Sequence, residues 1–294
     1  MGVIERFNDV ALSILTLTVL CVLMTKRYYS NKLFTRSVGY TLFFLILLTF
    51  FLSGSKSKVM IFGFSWVYLV FFWFSGRYYN KVPAFFLGFK GFLIVLLALV
   101  SAVFVISLNS NGNLIEYAGH LAFRFVYYGD VFLYAFVNDN INNLNGSNPV
   151  IGLFGGFLSI FRLLSPQDIY VPIGIQFPLI IHPDLDYITG PNPRHNVVGL
   201  FYFGFLFGPF FSFLIGLVLS AIRYKLYKLF VSSFSGFVLY FLITKALITL
   251  HVDFDYSLSK FASVLIVFPI ILFISYAFCL RSGNGRNRYC SSVL

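Results

Sequence analysis

Gly190-Pro191-Asn192-Pro193-Arg194-His195-Asn196 runs straight into the apolar stretch 197–222, which opens Val-Val-Gly-Leu-Phe-Tyr and closes Leu-Ser-Ala-Ile. A run of that length without a charged residue is long enough to cross a bilayer as a helix. The seven residues before it crowd proline, arginine, histidine and asparagine against its entrance. Outward from this junction the same apolar character recurs at about 10–25, 37–53, 59–76, 84–108, 234–251 and 260–280. Short clusters of basic residues separate the runs.

Composition agrees with that reading. The 294 residues are 59% hydrophobic and only 11% charged. A soluble fold cannot cover such a chain with polar surface, so the expected class is all-α, a polytopic membrane bundle of about seven to nine transmembrane helices. No polar segment is long enough to fold alone, which makes 1–294 a single membrane domain. The net charge of +11 does not point to nucleic acid, because its basic residues lie scattered at the ends of apolar runs, as topology signals do. Cys21, Cys279 and Cys290 show no paired spacing, so neither a disulfide frame nor a thiolate metal site is expected. Ala11–Met24, followed by Lys26 and Arg27, reads as a retained signal anchor.

The positive-inside rule orients the spans. With the 26–36 loop in the cytoplasm, 13 of the 21 basic residues fall inside, seven fall outside and Lys245 lies within a span. All ten acidic residues then fall outside. The amino terminus is outside and the carboxyl terminus inside, with an even number of spans as the alternative.

The polar interruption Asn109–Asn196 is not uniform. Glu116–Asp139 reads as an amphipathic helix, Asn138–Asn148 as a turn, and Pro149–Leu164 as a short glycine-rich apolar segment. The helix and the apolar segment are interfacial, re-entrant, or a pair of true spans. Gln167–Asn196, with five prolines, reads as an ordered extracytoplasmic loop.

Several residues here suit chemistry on a polar substrate. Arg124 lies near Tyr127, Tyr128 and Asp130; it either pairs with an acid to fix a helix or holds a phosphate with its planar fork. Arg194 and His195, beside Asn196, offer an anion-stabilising cation and a general base at the edge of a span. Arg162 lies in the same outer region. Lys56 and Lys58 stand outside against the prevailing charge rule, a hint of an anionic headgroup. Asp184-Leu185-Asp186 and Asp253-Phe254-Asp255 have the spacing of carboxylate pairs that hold divalent cations, although short acidic pairs arise readily by chance; His251 and Asp253 are a further possible pair. We assign no metal and no cofactor. With no phosphate-binding loop and no cytoplasmic domain, any reaction must use an already activated substrate.

Two segments resemble the bacterial O-antigen polymerase family and the related O-antigen ligases. Ser53-Gly54-Ser55-Lys56-Ser57 is similar to the Gly-Ser-Arg-Ser-like motif of the polymerases, with lysine in place of the usual arginine. Gly190 to Asn196, followed by Gly199, Tyr202, Gly204, Gly208 and Gly216, resembles the passage from the large periplasmic loop into the next span. His195-Asn196 is similar to the His-Asn start of that span in the ligases. Arg124 with Tyr128-Gly129-Asp130 resembles an Arg-and-aromatic stretch upstream of the loop. The likeness runs from about 37 to 222, and the chain departs from the family in having seven to nine spans where ten or more are usual.

The resemblance implies a glycosyltransferase of the bacterial inner (cytoplasmic) membrane, active at its periplasmic face, with 109–196 as the large periplasmic, partly re-entrant segment. It would join undecaprenyl-diphosphate-linked oligosaccharide repeat units into lipopolysaccharide O-antigen. Arg124, Arg194 and Lys56 would hold diphosphates, and His195 or Asp130 would take the acceptor proton. Tyr128, Arg162 and Asn196 would contact substrate. The expected partners are the lipid-linked oligosaccharide, membrane lipid and, as a candidate, a polysaccharide chain-length regulator. The alternatives are the O-antigen ligase reaction and, from another class, a lipid-linked oligosaccharide transporter (flippase). A membrane scaffold would account for the spans but not for the outer Arg, His and Asp.

Overall fold

A computed structural model describes residues 3–24, 37, 41–46, 48–49, 56–74, 130–146, 148–181, 183 and 192–281. These are helices joined by turns, with no strand among the described residues. The principal ones are α1 (Val3–Met24), α2 (Lys56–Tyr68), α3 (Asp130–Phe136), α4 (Pro149–Ile160), α5 (Ile173–Ile181), α6 (His195–Ala221), α7 (Phe234–Leu247) and α8 (Phe254–Arg281). Among the described residues, two segments are long and apolar enough to cross a membrane, His195–Phe230 and Phe254–Ala277. Shorter apolar helices cover Ile61–Trp73, Pro149–Ile160 and Phe234–Leu247.

The chain forms two compact units. The first comprises Met1–Tyr117, Leu229–Leu242 and Ile271–Leu294. Within it α1 packs against α2. Polar side chains buried there return their hydroxyl protons to their own helix, as a nonaqueous interior demands. Ser13 donates to the Asp9 carbonyl at 2.7 Å, Thr16 to Leu12 at 2.7 Å and Ser65 to Ile61 at 2.7 Å. Aromatic contacts close the unit: Tyr68 meets Phe72 and Phe241 at ring distances of 4.9 and 5.2 Å, and Trp73 meets Phe237 at 5.1 Å.

The second unit comprises Ala118–Lys228 and Ile243–Ile270. Its core joins Val131 and Ala135 of α3, Leu153 of α4, Ile173 and Phe177 of α5, and Val197 and Val198 of α6. α4 starts at an Asn148 cap, whose side chain accepts from the Val150 N–H at 2.9 Å, with Pro149 in the first turn. At 1.5 Å per residue its 12 residues reach about 18 Å, short of a bilayer core. The helix expected over Glu116–Asp139 ends at Phe136, because Asn138 and Asp139 take left-handed φ of 56° and 52°. Residues 116–129 lie outside the described residues. Within the proline-rich 167–196 loop the structure has a helix, α5, tied down by the buried Gln176. That amide donates to the carbonyls of Asn145 (3.0 Å) and Val171 (2.6 Å) and accepts from the Asn145 N–H (2.8 Å).

The apolar run expected to be one span, 197–222, is instead broken. Gly204 sits at φ 69°, ψ −175°, a backbone conformation that a Cβ disfavours. The two limbs beside it fold back on each other. A Cβ on Gly199 would lie 3.0 Å from the Gly208 carbonyl oxygen, and the Phe203 and Phe211 rings are 5.2 Å apart. A straight helix would hold residues nine apart at about 13.5 Å. The first limb, His195 to Phe203, is therefore short, and the second, Phe205 to Phe230, is about 39 Å long, more than the roughly 30 Å of a bilayer core. Phe205, Leu206 and Phe207 at the reversal are 86%, 82% and 65% exposed.

Candidate functional site

The start of α6 is bolted to the turn between α7 and α8. Arg194 donates its backbone N–H to the Val252 carbonyl at 2.9 Å, and His195 donates its own to the His251 carbonyl at 3.1 Å. The His195 imidazole Nδ1 lies 2.9 Å from that same His251 oxygen. The first N–H groups of a helix have no partner within it, so these two carbonyls satisfy donors that would otherwise be orphaned. Arg194 adopts φ 51°, ψ 138°, a conformation strained for a residue with a side chain. The surrounding bonds hold it there between the buried Pro193 and the helix.

The receiving turn is itself braced. The Thr249 carbonyl accepts from Val252 (2.8 Å) and Asp253 (2.9 Å), and the Leu247 carbonyl accepts from Leu250 (3.0 Å). His251 Nδ1 reaches the Ile248 carbonyl at 2.9 Å. Asp253 caps α8 by accepting from the Tyr256 N–H at 3.1 Å. Burial pushes the Asp253 carboxyl above its usual value of 3.8, against the opposing pull of the Tyr256 N–H and the Lys260 charge. Lys260 lies over the Tyr256 ring, 4.3 Å from its centroid.

Asp255 points elsewhere. Its Oδ1 accepts from the Gly156 N–H of α4 at 2.8 Å. The approach is close enough that a Cβ on Gly156 would overlap Ser259 Oγ and lie 2.7 Å from Asp255 Oδ2. A Cβ on Gly152 would overlap the Tyr202 hydroxyl. The glycines that interrupt α4 are thus the places where α6 and α8 press against its backbone. The two carboxylates of Asp253-Phe254-Asp255 serve two different helices rather than one common point. Among the described residues no three His, Cys, Asp or Glu side chains gather as a metal site would require.

Of the residues singled out from sequence, Arg194, His195 and Asn196 stand together at the α6 entrance, the first two half-buried and Asn196 exposed. Asp130 opens α3, which packs against α6. Arg162 lies exposed in the turn after α4, at φ 57°. Lys56 opens α2 in the other unit. Arg124, Tyr128 and the Asp184/Asp186 pair lie outside the described residues. Sequence reasoning left the 249–257 turn without a role toward His195. The anchoring groups are main-chain carbonyls, which carry no residue signature. A positioned imidazole next to a guanidinium-bearing residue can remove a proton from a hydroxyl while an anionic group is held alongside.

No protein-family model, no curated protein and no solved structure matches the chain.

Proposed function

We propose that this protein is a membrane glycosyltransferase of the O-antigen polymerase kind, joining lipid-diphosphate-linked oligosaccharide repeat units at the periplasmic face of the bacterial inner membrane. One observation carries the reading: Arg194 and His195 stand at the start of the apolar segment His195–Phe230, on the limb that folds back on its long helix, with the imidazole fixed to the His251 carbonyl. The end of the long limb away from the Gly204 reversal bears Arg223, Lys225 and Lys228, which the positive-inside rule assigns to the cytoplasm. The order of the sequence motifs supports the same assignment, and 109–196 is the large periplasmic segment of the seven-to-nine-helix bundle.

In this account the acceptor sugar hydroxyl attacks the anomeric carbon of the donor. The diphosphate departs with the bonding electron pair, and His195 takes the hydroxyl proton. Arg124 and Arg194 neutralise the diphosphates, which need fixed positive charge rather than ATP. Asp130 is the alternative base; Tyr128, Arg162 and Asn196 contact the glycan. In a strain deleted for the gene, the intact protein restores a polysaccharide ladder on a gel, whereas His195→Ala and Arg124→Ala reduce it about 100-fold or more. Intact ladders from both variants would refute the assignment. Loss of polymer attachment to the lipid A core, with lipid-linked polymer accumulating, would instead identify a ligase.

A further inference from the structure

The hydrogen bonds around His195 settle a point that the reaction needs and that the sequence does not express. A carbonyl oxygen can only accept. Nδ1 of His195, 2.9 Å from the His251 oxygen, must therefore carry the proton when the ring is neutral. The same oxygen also accepts the His195 backbone N–H at 3.1 Å, so both its acceptor positions are used and the ring is clamped to its own main chain. The nitrogen left for proton transfer is Nε2.

The turn supplying that carbonyl is held by a hydroxyl pair. Ser257 Oγ, fully buried, donates to the Asp253 carbonyl at 2.7 Å. Its proton being committed, the Thr249 hydroxyl donates to Ser257 Oγ, also at 2.7 Å. Thr249 thus closes the turn through its carbonyl and ties it to the first turn of α8 through its side chain.

We infer that Thr249 and Ser257 are positioning residues: they hold the His251 carbonyl so that His195 presents Nε2, unprotonated, to the acceptor hydroxyl. This rests on the proposed function for its catalytic consequence, but not for its geometry. When the hydroxyl oxygen bonds the anomeric carbon and the carbon–diphosphate bond breaks, the hydroxyl proton goes to Nε2. The Nδ1 proton stays on the His251 carbonyl, which stabilises the imidazolium formed.

Full-length protein labelled with ¹⁵N-histidine, reconstituted in lipid bilayers and compared with a His195→Gln sample, gives the His195 signals by difference. The expected spectrum at alkaline pH has a protonated Nδ1 and a bare Nε2. Thr249→Val with Ser257→Ala should mix the two tautomers and cut the ladder at least tenfold at equal protein level. Thr249→Ser with Ser257→Thr, which keeps both hydroxyls, should restore the wild-type spectrum and ladder. A bare Nδ1 in the wild type, or a tautomer unmoved by loss of both hydroxyls, would overturn the inference. A wild-type protein with the expected tautomer but no polymerising activity would count against the proposed function alone.

Discussion

At the scale of single residues, Asp253 shows how a carboxylate in the turn before α8 can be structural. It caps α8 through the Tyr256 N–H, and burial raises its proton affinity. A carboxyl whose folded value lies above its unfolded one favours the fold most when protonated. Its contribution is complete below the unfolded value of about 3.8 and is lost as pH rises through the raised folded value. Asn keeps the cap without the charge. Asp253→Asn should therefore unfold no more readily than wild type at neutral pH and show a flatter pH dependence, whereas Asp253→Ala should cost about 1 kcal/mol. Thermal unfolding in detergent across the acidic range measures both. The carboxylate pair was legible in the sequence. Its use was not, because side chains two apart at a helix start diverge, one to its own helix and one to α4.

At the scale of elements, the helical glycines are of two kinds, and only one of them underlies the reversal in α6 and the close approaches of α4. Gly199 and Gly208 touch each other's backbone, and Gly156 lies under Asp255 and Ser259. Gly63 and Gly216 have open space around the position of a Cβ. Ala at Gly156, Gly199 or Gly208 should destabilise by about 1–3 kcal/mol through overpacking. Ala at Gly63 or Gly216 should leave the melting temperature unchanged or slightly raised. Melting curves of the five variants separate these classes. The apolar runs were legible because charges are absent from them. The Gly204 reversal was not, since a glycine within such a run is equally compatible with a straight helix packed closely on a neighbour. α5 escaped notice for a related reason: its prolines read as loop, while the buried Ile173 and Phe177 that fix it to the core are visible only once the core exists. The Arg194–Asn196 triplet was found by residue type; its anchor was invisible because any residue could supply the carbonyls of 251 and 252.

At the scale of the molecule, the polymerase reading requires the α6 entrance and the Arg223–Lys228 end to lie on opposite sides of the membrane. In a cysteine-free background, a single cysteine at Asn196 should react with an impermeant maleimide added to spheroplasts. One at Lys228 should react only after the membrane is opened. The reverse pattern would place the Arg194–His195 site in the cytoplasm, away from lipid-linked repeat units delivered to the periplasmic face.

The most direct measurement is synthesis by the purified protein in liposomes supplied with undecaprenyl-diphosphate-linked repeat units and no nucleotide. Our account predicts a ladder of products joined by new glycosidic bonds, abolished by His195→Ala and strongly reduced by Arg194→Ala. Movement of the lipid-linked unit across the bilayer without bond formation, or a ladder indifferent to His195, would contradict it.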